Sequence, residues 1–139
     1  MAQGIREVMT ADPRTVDSGA TVQDAAREMR DGDVGDVLLV EDGRLAGLVT
    51  DRDIAVRAVA EGRDPASTKA SEIASRDLAT LTIDQSVDDA IRLVRERNVR
   101  RIPIVQDGRP VGIVSIGDLA IEREPDSALA DISSEPANN

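Results

Sequence analysis

Gly47-Leu48-Val49-Thr50-Asp51-Arg52-Asp53 is matched, 65 positions on, by Gly112-Ile113-Val114-Ser115-Ile116-Gly117-Asp118. Each stretch ends an apolar run with a hydroxyl residue and places an acid three positions later. The match extends outward without a gap, from residues 8–55 onto residues 73–120. Val22/Val87, Asp24/Asp89, Ala25/Ala90, Arg27/Arg92, Val40/Val105, Gly43/Gly108 and Val49/Val114 are among the identical pairs. A gapless match of that length marks two copies of one supersecondary unit, expected to be related by a pseudo-twofold axis.

Both copies read alike. Val22, Ala25, Ala26 and Met29 fall on one helical stripe, as do Val87, Ala90, Ile91 and Val94. Thr21 with Asp24 starts the first helix as a hydroxyl cap with acid in the first turn, and Ser86 starts its copy. Val37-Leu38-Leu39-Val40 and Ile102-Pro103-Ile104-Val105 predict buried strands. Asp42-Gly43 and Asp107-Gly108 then predict tight hairpins into Leu45–Val49 and Pro110–Val114. A second helix is expected from Ile54 to about Glu61, with a shorter counterpart stopped by Pro125. Each copy thus reads strand, helix, strand, hairpin, strand, helix, an α/β (α+β) arrangement. The expected layout is one module over residues 1–124, with repeat one at about 5–61, a linker at about 62–70 and repeat two at about 71–124. Residues 125–139 are polar and acidic, and read as a disordered tail.

Composition excludes much chemistry. The 139 residues contain no Cys, His, Phe, Trp or Tyr. That removes disulfides, thiol nucleophiles, histidine bases and aromatic stacking platforms for single-stranded nucleic acid. A net charge of −10 disfavours nucleic acid and anionic membranes as partners. No signal peptide or spanning stretch is visible, so the expected location is the cytoplasm. Asp51 with Asp53, or Asp88 with Asp89, could serve an enzyme as metal or acid–base carboxylates. Asp88-Asp89 is more simply first-turn acid on a helix, and no catalytic function is expected.

Two readings of the repeated motif stand side by side. A glycine in a strand lets a neighbour approach the backbone. A helix N-terminus with its free N–H groups attracts an anion, a hydroxyl contacts phosphate, and a carboxylate suits a ribose diol. Together these would cradle a nucleoside phosphate. Alternatively, Thr50/Asp53 and Ser115/Asp118 are plain capping boxes.

The tandem units, the Gly-apolar-apolar-Thr/Ser-x-x-Asp ending and the Val8-Met9-Thr10 … Thr15-Val16 opening resemble a CBS-domain pair, or Bateman module, over about residues 5–122. Thr50-Asp51-Arg52-Asp53-Ile54 with Gly62 and Asp64-Pro65 resembles the free-standing bacterial pairs of the hypoxic-response type. The resemblance implies three-stranded sheets flanked by helices and two clefts between the halves. It implies adenosine ligands: AMP, ADP, ATP or S-adenosylmethionine as a regulatory ligand, with no obligatory cofactor and no metal. It places Thr50 and Asp53 in a cleft with Thr80, Leu81, Val99 and Arg100, with Arg101 beside it. Ser115 and Asp118 would share the other cleft with Thr15, Val16, Val34 and Gly35. Arg100-Arg101 in the second copy stands where the first has Gly35-Asp36, so the Asp53 cleft is expected to prefer phosphorylated ligands. It also implies a homodimer forming a four-repeat disk, and a client protein that reads the ligand state. A pair without nucleotide, acting as a structural or interaction protein, is the competing reading.

Overall fold

The computed structural model describes residues 4–115, 117 and 119. It divides into two units. One is contiguous, Pro13–Leu78; the other is split, built from the described residues up to Asp12 and the described residues from Ala79 onward.

In the contiguous unit, β2 (Thr15–Asp17), β3 (Asp36–Glu41) and β4 (Arg44–Thr50) form a three-stranded sheet in the order β2-β3-β4. β2 runs parallel to β3, with Thr15 opposite Leu38. Parallel neighbours need a crossover, and α1 (Val22–Gly32) supplies it. β3 and β4 are antiparallel, with Asp36 opposite Thr50 and Glu41 opposite Arg44. Their turn has Asp42 at φ 53° and Gly43 at φ 79°, the left-handed pair that a two-residue hairpin needs. Val37, Leu38 and Leu39 are all buried, so β3 is covered on both faces, as its unbroken apolar run predicts. Val22, Ala25 and Met29 of α1 pack onto Val37, Leu39 and Val49, as the 3.6-residue stripe requires.

The split unit repeats the pattern with β5 (Leu81–Thr82), α3 (Val87–Arg97), β6 (Arg101–Gln106) and β7 (Arg109–Ser115). Its sheet has a fourth strand, β1 (Thr10–Ala11), at the edge against β7, giving the order β1-β7-β6-β5. Ile5, in a 3-10 turn at Ile5–Glu7, is buried with Val87, Ala90, Ile102 and Val114. The opening segment of the first copy therefore completes the second copy's core. The reverse also holds: Ala70 and Ile73, from the opening of the second copy, are buried in the contiguous unit. Ser75 pairs there with Leu48, through bonds of 3.0 and 2.9 Å in the two directions.

The helix after β4 departs from a plain α-helix. Asp51–Asp53 (α2) is α-wound, and Ile54–Val59 continues as a π-helix. The Ala60 amide bonds the Ala55 carbonyl, and Arg63 that of Ala58, both at 2.9 Å and both five residues back. π-Turns recur at functional sites. The expected tail, the helix end at Pro125 and Asp118 lie outside the described residues.

Candidate functional site at the sheet ends

In each unit the strands bring the singled-out residues to one end of a sheet. In the contiguous unit β2 and β3 start at the end where β4 stops. Thr15 opens β2, Val34 and Gly35 precede β3, and Thr50 closes β4. Val16 is buried beneath them, whereas Thr15 is exposed and Thr50 half-buried.

The Thr50/Asp53 motif forms a complete capping box. The Asp53 amide donates to Thr50 Oγ1 at 3.1 Å, and the Thr50 amide donates to Asp53 Oδ2 at 2.9 Å. Two further donors of the helix start are also taken. Asp51 N–H bonds the Gly35 carbonyl at 2.9 Å, and Arg52 N–H bonds Asp51 Oδ1 at 2.8 Å. The free N–H groups expected to draw an anion are therefore satisfied by the chain itself. What remains is side-chain chemistry. Thr50 Oγ1 accepts in the cap, so its own O–H is left to donate. Asp53 uses Oδ2 in the cap, and its Oδ1 lies 3.8 Å from Arg57 Nε. A carboxylate has about four acceptor positions, so Asp53 keeps capacity for hydroxyl donors. Its side chain is only 13% exposed, which holds the geometry while leaving one edge accessible. Arg57 also donates to the Ile73 carbonyl at 3.3 Å. Sequence reasoning did not single out Arg57; its position four residues after Asp53 on a helix was the available signal.

The local charge differs between the two ends. Asp36 faces Thr50 in the β3–β4 register, with Asp51 and Asp53 adjoining. In the split unit Arg101 holds the equivalent place opposite Ser115, after exposed Arg100 and half-buried Val99. Leu81 there is buried and Thr80 exposed. Arg100 and Arg101 thus belong to the unit of Ser115, and Asp36 to that of Thr50. Each of the two residue sets expected to share a cleft draws members from both units.

The strand glycines do admit a close neighbour, and it is the chain itself. A Cβ at Gly47 would lie 3.2 Å from the Ser75 carbonyl oxygen and 3.3 Å from Ala74 Cβ. One at Gly112 would lie 2.4 Å from Met9 Sδ and 3.1 Å from the Thr10 carbonyl oxygen. Met9 and Ala74 are the same repeat position (74 − 9 = 65).

The CBS domain family matches this chain twice, over residues 5–59 and 70–123. A CBS domain-containing protein of Bacillus subtilis, YhcV, is 41% identical over 133 residues, covering 93% of this chain and 94% of its own. Hypoxic response protein 1 of Mycobacterium tuberculosis is 34% identical over 116 residues, 83% of this chain and 81% of its own. Among solved structures, hypoxic response protein I with two coordinated zinc ions superposes with a TM-score of 0.77 at 33% identity, covering 86% and 98% of the two chains. A protein with CBS domains from Burkholderia ambifaria gives 0.72 at 28% identity, covering 93% and 90%.

Proposed function

Because the chain belongs to the CBS-domain family, as a tandem pair of such domains, and is a regulatory module rather than an enzyme, we propose that it senses an adenosine-containing ligand. AMP, ADP and ATP are the first candidates and S-adenosylmethionine the next. The observation that carries this reading is the Thr50/Asp53 pair. Its capping bonds pin both side chains while leaving a hydroxyl donor and carboxylate lone pairs available. That combination fits a phosphate oxygen beside a ribose diol. Thr15, Val16, Val34 and Gly35 border the pair within the contiguous unit. Thr80, Leu81, Val99, Arg100, Arg101 and Ser115, with Asp118, supply the corresponding set in the second copy. Aliphatic side chains must hold the adenine, because the chain has no aromatic ring.

Signalling requires that the ligand bind one arrangement of the protein better than another. We assign the readout to a homodimer. Val56 and Val59, on the π-wound helix after Asp53, are 49% and 65% exposed. Two large apolar side chains on that helix give a second copy of the chain a surface to cover. Zinc is not carried over from the relative that holds it, because its preferred His and Cys donors are missing from this sequence.

A second reading, an interaction pair without nucleotide, draws support from Asp36 opposite Thr50 and from the satisfied N–H groups at the helix start. One spectrum separates the two. With no Trp, Tyr or Phe the protein is nearly transparent in the near ultraviolet, where adenine absorbs. The purified protein should carry an adenine band, with the released compound identified by mass. A flat spectrum, followed by no heat on titration with AMP, ADP, ATP and S-adenosylmethionine, would leave the interaction reading in place.

A further inference from the structure

Cys, Trp, Tyr and His are absent, so methionine is the one readily oxidised side-chain type in this chain. There are three. Met1 lies outside the described residues, and Met29 is 7% exposed in the core of the contiguous unit. Met9 is different. It is half-buried, packs at the margin of the split unit's core, and lays its sulfur against the backbone of Gly112. The contact is so close that a single added methyl on Gly112 would stand 2.4 Å from Sδ. Met9 immediately precedes β1, a strand held by only two residue pairs, Thr10 with Ile113 and Ala11 with Gly112.

We propose that Met9 is a reversible oxidation site, and that its sulfoxide releases β1 from β7. The oxidant is a hydroperoxide. The thioether sulfur attacks one oxygen of hydrogen peroxide, the O–O bond breaks, an S–O bond forms, and the proton on the transferred oxygen passes to the departing hydroxide, which leaves as water. The sulfur loses two electrons and the peroxide gains them. The product is larger and polar, and its oxygen seeks water. The sulfur lies close against Gly112, so the sulfoxide oxygen is accommodated by the side chain turning outward, and loss of its packing weakens the two-pair β1–β7 seam beside it. Ile5 is buried four residues earlier, and its amide bonds the Gln85 carbonyl at 3.0 Å, which tethers the segment while β1 opens. The first copy's equivalent seam has Ala74 at this position and cannot respond. This inference does not depend on the nucleotide reading.

The test uses the full chain and hydrogen peroxide. Peptide mass spectrometry should find Met9 oxidised roughly tenfold faster than Met29, as its exposure demands. Hydrogen exchange should then speed up about tenfold or more at Thr10, Ala11, Gly112 and Ile113, and not across α3. Methionine sulfoxide reductase should restore both readings. Met9→Leu, of similar volume, should keep slow exchange after peroxide. Oxidation of Met9 no faster than Met29, oxidation without faster exchange at the β1–β7 seam, or faster exchange throughout the split unit would each overturn the proposal. The first two of these are read on the unaltered chain, so they stand even if Met9→Leu fails to fold.

Discussion

Thr21 and Thr50 cap two helices of the same unit with the same geometry, which allows a clean separation of structural from ligand-binding roles. Each Oγ1 accepts the amide of an aspartate three residues on, at 3.1 Å. Each aspartate returns a bond to the threonine amide, at 3.0 Å for Asp24 and 2.9 Å for Asp53. Thr21→Val and Thr50→Val preserve shape and remove the acceptor. Each should cost about 1 kcal/mol of stability. For a chain of this size that is roughly a 3–5 °C fall in melting temperature. The two variants should differ in binding. If the Thr50 hydroxyl donates to a phosphate oxygen, its loss removes a charge-assisted bond of about 1.5–3 kcal/mol, ten- to a hundredfold in affinity. Calorimetric titration with AMP, ADP and ATP, beside thermal melts of the same preparations, reads both quantities. Thr21→Val should bind as the parent does. Equal loss in both variants would reduce the Thr50 effect to stability, and unchanged affinity in Thr50→Val would refute its role in binding.

Gly112→Ala should destabilise by about 1 kcal/mol in urea unfolding, because the new methyl crowds the Thr10 carbonyl oxygen at 3.1 Å and displaces the end of the Met9 side chain. Adding Met9→Ala should recover part of that loss, and simple additivity of the two changes would contradict the packing described. Asp24, Glu72, Asp84 and Asp89 are held below the ordinary carboxylate range: Asp24, Glu72 and Asp89 chiefly by backbone hydrogen bonds at Thr21, Lys69 and Ser86, Asp84 chiefly by the Thr82 hydroxyl. Folded values lie below unfolded ones, so their stabilisation is complete above the ordinary range and lost as pH falls beneath it, below about 4. Circular dichroism should therefore show an acid transition there, and a transition between pH 7 and 5 would count against these carboxylates as its source. If the chain pairs through Val56 and Val59 as proposed, Val59→Asp should lower its sedimentation coefficient to that of a monomer without changing the helical signal; an unchanged coefficient would refute that interface.

Much of the fold is legible in local sequence. The Asp-Gly turns need left-handed backbone, and both Asp42 and Asp107 adopt it. The Thr21/Asp24 and Ser86/Asp89 boxes form where hydroxyl and acid stand three apart. The unbroken run Val37–Leu39 is buried on both faces. Three features were not legible, for distinct reasons. β1 pairs with β7 across most of the chain, and periodicity carries no information about partners so distant. The π-winding of Ile54–Val59 shifts hydrogen bonds by one residue without altering the apolar pattern that predicts a helix. At the candidate site, the Thr50/Asp53 box is visible as a motif, but the Gly35 carbonyl that takes the Asp51 amide comes from a loop sixteen residues earlier (51 − 35 = 16). That acceptor joins Thr50 Oγ1 and Asp51 Oδ1 in satisfying the amides of the helix start.

The exchange of opening segments sets an order on synthesis. As the chain leaves the ribosome, Pro13–Leu78 is a continuous stretch that can close on itself as soon as Ala70, Ile73 and Ser75 emerge. Ile5, Met9 and β1, made before that stretch, belong to the other unit. They wait, tethered to an already folded body, until Val87, Ile102 and β7 have been translated. A segment made before the contiguous unit is thus buried after it. A nascent chain stalled anywhere between Leu78 and Ser115 would hold one finished unit with the apolar segment before Pro13 still exposed, ready for a chaperone or for the matching sheet of a neighbouring chain.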